Sequence, residues 1–133
     1  MTRSQKREAV FLLLYQSSLN DDTVDELVQT NIEEFEMLED DSIAATVKSA
    51  LEYADQADKI INRFSKTRKV ARIAKISVAI MRLALYEMEH DDTVPDKVAI
   101  NEAIELCKKY SGENDAKFVS GLLGSYYREK NNE

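Results

Sequence analysis

The 133 residues are 44% hydrophobic and 32% charged, with a net charge of −7. That balance suits one folded domain over residues 1–133 and is too apolar for a disordered chain. Three glycines and one proline leave little turn material for many strands, no apolar run reaches the roughly 18 to 20 residues of a membrane span, and the lone Cys107 excludes an intramolecular disulfide and fits a reducing cytoplasm.

Ala9, Leu12, Leu13 and Gln16, with Val10, Leu14 and Ser17, predict a first helix from about Ser4 to Leu19. It reads as a retained helix and not a signal peptide, because no small-residue cleavage site follows it. Asn20-Asp21-Asp22 ends it. Thr23-Val24-Asp25-Glu26 has the capping-box pattern and opens a second helix that turns Leu27, Val28 and Ile32 inward. The acidic stretch Glu33 to Asp41 embeds Phe35, Met37 and Leu38 and is expected to turn. Ser42 can cap a long third helix to Phe64, with Ile43, Val47, Ala50, Leu51, Ala54, Ala57, Ile60 and Ile61 at three- and four-residue spacing.

Ser65 to Val70 reads as a basic connector. Ala71 to Met88 is apolar nearly all round, which predicts a central helix ending at His90-Asp91-Asp92-Thr93. Pro95 suits the first turn of the next helix, which should bury Val98, Ile100, Ala103, Ile104, Cys107 and Tyr110. Gly112 is a left-handed stop. A last helix from about Asn114 uses Val119, Leu122, Leu123, Tyr126 and Tyr127, with Gly121 and Gly124 permitting close packing and Lys130 to Glu133 fraying. With no two-residue alternation, the fold class is all-α, with about six or seven helices in one compact domain.

The charge is unevenly placed. Arg3, Lys6 and Arg7 open the chain, residues 8–47 hold eleven acids and no Lys or Arg, and residues 59–82 hold eight cations and no acid. A local basic surface governs phosphate binding more than the net charge does, although solvated helix faces account for the same pattern.

Catalytic chemistry is poorly supplied. His90 is the only histidine and Cys107 the only cysteine, so neither a fixed nucleophile–base pair nor a four-ligand zinc site is expected. His90 is placed at a helix C-terminus, where positive charge is favoured, and Cys107 in an apolar row. No Walker or dinucleotide glycine motif is present. The expectation is a non-enzymatic protein with no metal and no cofactor.

A binding repertoire remains. Single-stranded RNA requires cations for phosphates, aromatic faces for bases and polar groups for base edges. Arg3, Lys6 and Arg7 with Tyr15 and Gln16 supply each type, while on sequence physics alone Tyr15 reads better as a half-buried core tyrosine. The string from Ala79 to Met88 (AIMRLALYEM), the string from Val94 to Leu106 (VPDKVAINEAIEL), the string from Lys117 to Leu123 (KFVSGLL) and the opening from Arg3 to Gln16 (RSQKREAVFLLLYQ) resemble four ordered motifs of the NusB family. The resemblance covers almost the whole chain and is least specific over residues 20–70.

That resemblance implies an all-helical fold of two packed bundles and a transcription antitermination factor. Its partners would be boxA-type single-stranded RNA of nascent rRNA leaders, the ribosomal protein NusE, and the RNA polymerase elongation complex with NusA and NusG. Relatives occur as monomers and dimers, so a homodimer is among the expected states. Residue by residue, Arg3, Lys6 and Arg7 would neutralise phosphates, and Tyr15 would lie against a base beside Gln16. Lys117 and Phe118 match the pair near the RNA surface, with Asn114 and Asp115 in the loop before them. Phe118 reads equally as core. The basic turn with Lys69 and Arg72 and the helix from Ser77 to Tyr86 resemble the region facing NusE. Many relatives have an acid where Ser77 stands and a tryptophan near Arg68. Arg82 and Glu102 are expected to form an ion pair. Two rival readings stand beside this one: the RNA-binding appendage of an RNA cytosine methyltransferase, and a helical adaptor that binds only proteins.

Overall fold

The computed structural model describes residues 2–31 and 41–131. The expectations for Ile32, Phe35, Met37, Leu38 and the acidic run 33–40 lie outside the described residues. Among those described are six α-helices, one 3-10 turn and no strand. The chain divides into two compact units, Met1–Glu52 and Tyr53–Glu133.

The first unit contains α1 (Arg3–Ser17), α2 (Val24–Asn31) and the start of α3 (Asp41–Phe64). α1 begins with a capping box: Gln5 N–H donates to Thr2 Oγ1 (3.0 Å), and Thr2 N–H donates to Gln5 Oε1 (2.8 Å). The expected Thr23–Glu26 box opens α2 in the same way, at 3.1 and 3.2 Å. α1 and α2 pack on each other. Buried Ala9, Val10, Phe11, Leu13 and Leu14 line α1's inner face, and Val24 and Leu27 that of α2. α3 starts at Asp41, so Ser42 lies inside the helix and its carbonyl accepts from Thr46 Oγ1 at 2.8 Å.

The second unit holds the rest of α3, a 3-10 turn (Val70–Arg72), α4 (Lys75–His90), α5 (Asp96–Tyr110) and α6 (Glu113–Lys130). α4 packs against both α5 and α6, and α5 against α6. Ten of α4's sixteen residues are buried, which makes it the central helix that its composition predicted. It starts four residues later than the apolar run suggests. Ile73 and Ala74 are extended, and Ile73 enters the core from that conformation at 5% exposure. Apolar content records burial, not backbone conformation.

Other differences are local. Pro95 is the N-cap of α5 and not within its first turn. Val98 is exposed, while Ala99, Ala103, Leu106 and Cys107 form the buried row. Gly112 stops the chain at φ +105°, as expected, with its N–H on Cys107 O at 2.8 Å. An added Cβ meets nothing within 4 Å at Gly121 and only the Arg128 Nη1 tip, at 3.4 Å, at Gly124, so neither glycine serves close helix packing. Lys130 does not fray: its Nζ donates to Met88 O at 2.5 Å and pairs with Asp96 at 3.1 Å.

Arg82 makes its two-pronged contact with Asp58 on α3, not with the expected Glu102. Nε reaches Oδ1 at 2.8 Å and Nη2 reaches Oδ2 at 2.7 Å. Asp58 lies on α3, five residues past the unit's start at Tyr53, and no local pattern links it to α4.

Candidate nucleic-acid interface

In the first unit, Arg3, Arg7, Phe11 and Tyr15 follow one another at four-residue intervals along α1, a ridge about 18 Å long at 1.5 Å per residue. No acid occupies the first turn. Cations at a helix N-terminus oppose the macrodipole, at a cost of about 0.3–1 kcal/mol each. A cluster of three there needs a reason outside helix stability. Arg3 is exposed and Lys6 half-buried, but Arg7 is buried at 8% exposure. Arg7 is thereby corrected from a phosphate ligand to an internal side chain in this conformation. Tyr15 is half-buried, its ring stacked on Phe11 at 6.5 Å and 18°. It is thus the half-buried tyrosine of the structural reading.

Gln16 departs from its expected role. Its Nε2 donates to Asn31 Oδ1 at 3.2 Å, and Asn31 Nδ2 donates back to Gln16 Oε1 at 2.8 Å and to Leu27 O at 2.7 Å. Both ends of the amide are engaged, so Gln16 ties α1 to α2. Sequence reasoning missed this because the partner is fifteen residues away.

In the second unit, Asn114 is exposed in the first turn of α6, not in a preceding loop, because Gly112 rather than Asn114 precedes the helix. Lys117 is exposed and Phe118 half-buried. Both line an open groove of about 290 Å³ with Phe64, Lys66, Thr67 and Gly121. The Arg68 guanidinium carbon stands 5.0 Å from the Phe118 ring centre. The connector that carries Arg68 is held by side chains: Asn62 Oδ1 accepts from Val70 N–H at 2.7 Å, and Ser65 Oγ accepts from Arg68 N–H at 3.2 Å.

Of the residues expected to face a protein partner, Lys69 and Arg72 are exposed. Tyr86 is half-buried, edge-on to Tyr53 at 6.3 Å and tilted against His90 at 5.5 Å. Ser77 is corrected to an internal residue. It is 1% exposed, and its Oγ lies 3.2 Å from Ser111 Oγ, which in turn donates to Asp115. The Ser77 hydroxyl is satisfied at the C-cap of α5. Cys107 joins this group. Burial, then the nearby Asp115 carboxylate, push its thiol up to about 11, partly offset by a hydrogen bond with Ser77. A thiol so protonated is inert at neutral pH. Tyr53 is pushed up to about 12, first by burial and then by Glu89.

The NusB family model matches residues 4–128. The transcription antitermination protein NusB of Acetivibrio thermocellus is 40% identical over 98% of this chain and 91% of its own length. The chain belongs to the NusB family. T. maritima NusB superposes with a TM-score of 0.84 at 28% identity, covering 97% of this chain and 92% of that one. A protein chain from the crystal structure of a plectonemic RNA supercoil superposes at 0.81 and 26% identity, covering 97% of each. The all-α NusB-like fold is thus established, and the chain is a non-enzymatic NusB-type protein. Among the described residues no three His, Cys, Asp or Glu side chains gather into a metal-sized group, and no helix is long and apolar enough to cross a membrane.

Within this NusB chain the expected RNA-facing residues form two sets, Arg3, Lys6 and Tyr15 on α1 and Asn114, Lys117 and Phe118 on α6. Arg68 and the groove beside Phe118 were not singled out from sequence. The signal was present in the run of cations from Lys66 to Arg72 and in the glycine at 121, but only the fold brings them beside Phe118.

Proposed function

We propose that this chain is a transcription antitermination factor that binds boxA-type single-stranded RNA in nascent rRNA leaders together with the ribosomal protein NusE. The pair would act on the elongating RNA polymerase with NusA and NusG, in the cytoplasm. The observation that carries the reading is the family match over residues 4–128, joined on α1 by exposed Arg3 and half-buried Lys6 and Tyr15. Arg3 and Lys6 supply phosphate contacts, Tyr15 and Phe118 supply base faces, and Lys69, Arg72 and Tyr86 remain for the protein partner. Coupling between RNA and NusE is reciprocal, since each raises affinity for the other by the same factor. A homodimer that covers the α1 ridge would compete with RNA.

The test is binding of a boxA-type RNA and a scrambled control, with and without NusE, at two salt concentrations. Sequence-selective binding that tightens with NusE is expected. Tyr15→Ala should weaken it by about 1–3 kcal/mol, the worth of one stacked base. A folded protein with no selectivity in either condition would be a NusB fold used as a protein adaptor.

A further inference from the structure

The groove between the connector and α6 has three features of a single-strand binding pocket. Its walls include two half-buried aromatic rings, Phe118 and Phe64, the latter already in contact with the Arg63 guanidinium (5.0 Å from its centre) and edge-on to Tyr126 (5.8 Å). Its rim carries Lys66 and Lys117, with Arg68 placed beside it over the Phe118 ring; all three are exposed, and no carboxylate pairs with any of them among the described residues. Its floor passes over Gly121, where an added Cβ would meet nothing within 4 Å. The glycine is not needed by the helix, which would be more stable with almost any other residue. Its lack of a side chain leaves the groove open.

The connector is also built to present its cations. Asn62 and Ser65 hold its backbone, and Arg68 stands over the Phe118 face. A guanidinium held on an aromatic ring is desolvated on one side and keeps its remaining N–H donors outward. A flat π-system entering the groove can stack on Phe118 in place of Arg68 or beneath it, while the freed donors reach a phosphate. Aromatic walls with a rim of one charge sign fit a nucleotide better than an acidic peptide, which would find cations but no use for paired ring faces.

We propose that this groove takes one nucleotide of a single-stranded RNA, its base against Phe118 and Phe64 and its phosphate on Arg68 and Lys66. The connector, which by resemblance belongs to the protein-facing side, contributes in this chain to RNA binding. The proposal rests on the RNA-binding reading above and extends it to residues that reading does not include.

Two substitutions test it in the full chain, read by fluorescence anisotropy with a labelled boxA-type RNA. Gly121→Leu fills the groove from its floor without a clash, and Arg68→Gln removes the charge while keeping a polar side chain. An unchanged helical signal and a melting temperature no lower than that of the wild type confirm that each is folded. Gly121→Leu should weaken binding about tenfold, within the range for one stacked base. Arg68→Gln should weaken binding and reduce the log–log salt slope by about 0.7, one phosphate contact on a single strand. If Tyr15→Ala weakens binding but both groove variants bind like the wild type, the groove proposal falls and the family reading stands. Loss in Arg68→Gln alone would leave a phosphate contact without a base pocket and also overturn it. Groove variants that keep RNA but lose NusE would make this a protein-docking site, contrary to the proposal. A wild-type chain that binds no RNA selectively overturns both readings.

Discussion

Gln16→Leu separates a structural from a base-reading role at a position where sequence favours the latter. In the native protein Gln16 and Asn31 exchange two amide hydrogen bonds, and Asn31 is 7% exposed. Removing the Gln16 amide leaves Asn31 Oδ1 without its donor, while Nδ2 keeps its bond to Leu27 O. One stranded buried acceptor costs about 1–3 kcal/mol, and half the Asn31 amide remains satisfied, so about 1.5 kcal/mol is expected. For a chain of this length that lowers the melting temperature by roughly 4–6 °C. Urea denaturation followed by circular dichroism should show a lower midpoint with an unchanged slope. The double variant Gln16→Leu/Asn31→Leu should regain part of the loss, since no polar atom is then stranded. RNA affinity of the folded single variant should stay within twofold of wild type. Wild-type stability combined with weakened RNA binding would refute this reasoning and return Gln16 to the RNA surface.

Arg82→Met should cost about 1–2 kcal/mol in urea denaturation. Arg82 and Asp58 are each covered over roughly three-quarters of their side chains (24% and 22% exposed), between the exposed-pair and buried-pair limits. A double-mutant cycle with Asp58→Asn that shows no coupling would remove the pair's role. Gly112→Ala should lower stability by about 1–3 kcal/mol, because φ +105° and ψ 171° lie where side chains are strained, and the open space around the site leaves only backbone strain to measure. An unchanged midpoint would mean that the turn adopts another conformation at no cost. Stability should also fall at alkaline pH. The Cys107 thiol is held protonated up to about 11 in the fold against an ordinary 9. Its contribution is complete below pH 9 and is lost as pH rises through 11, because the unfolded chain releases the proton first. Tyr53, raised from 10 to about 12, extends the loss upward. Cys107→Ala should flatten the decline between pH 9 and 11, and an unchanged pH profile would show that the thiol is not the group responsible.

Features written locally were legible. The Thr23–Glu26 box, the left-handed Gly112 and the apolar girth of α4 each need only a few neighbouring residues, and all appear as expected. The Thr2–Gln5 box has the same form and was readable from Thr2-Arg3-Ser4-Gln5. What was not legible depends on residues distant in sequence. Gln16 is satisfied by Asn31, Arg82 by Asp58, and Ser77 by Ser111. Each pair joins two helices, and spacing along one helix cannot reveal it. Lys117 and Phe118 are neighbours on α6, but only the fold shows that Arg68, remote from them in sequence, stands over the Phe118 ring. Arg7 illustrates the opposite error: a cation in a basic run is counted as exposed, yet its i, i+4 position above Phe11 carries it into the buried face.

The net charge of −7 also ceases to oppose RNA binding once individual cations are followed. Of the eight in residues 59–82, Arg63 is paired with Glu129 and Arg82 with Asp58, so neither adds to an outward field. Lys59 stays exposed on α3, and Lys66, Arg68, Lys69, Arg72 and Lys75 remain exposed within ten residues of connector and helix start, with no acid between Asp58 and Glu87. At physiological salt the Debye length is about 8 Å, so a phosphate at this surface responds to the last five of these charges and hardly to acids farther away. The salt dependence of RNA binding should therefore report the local cations, with a slope near −0.7 for each phosphate engaged, whatever the sign of the whole protein.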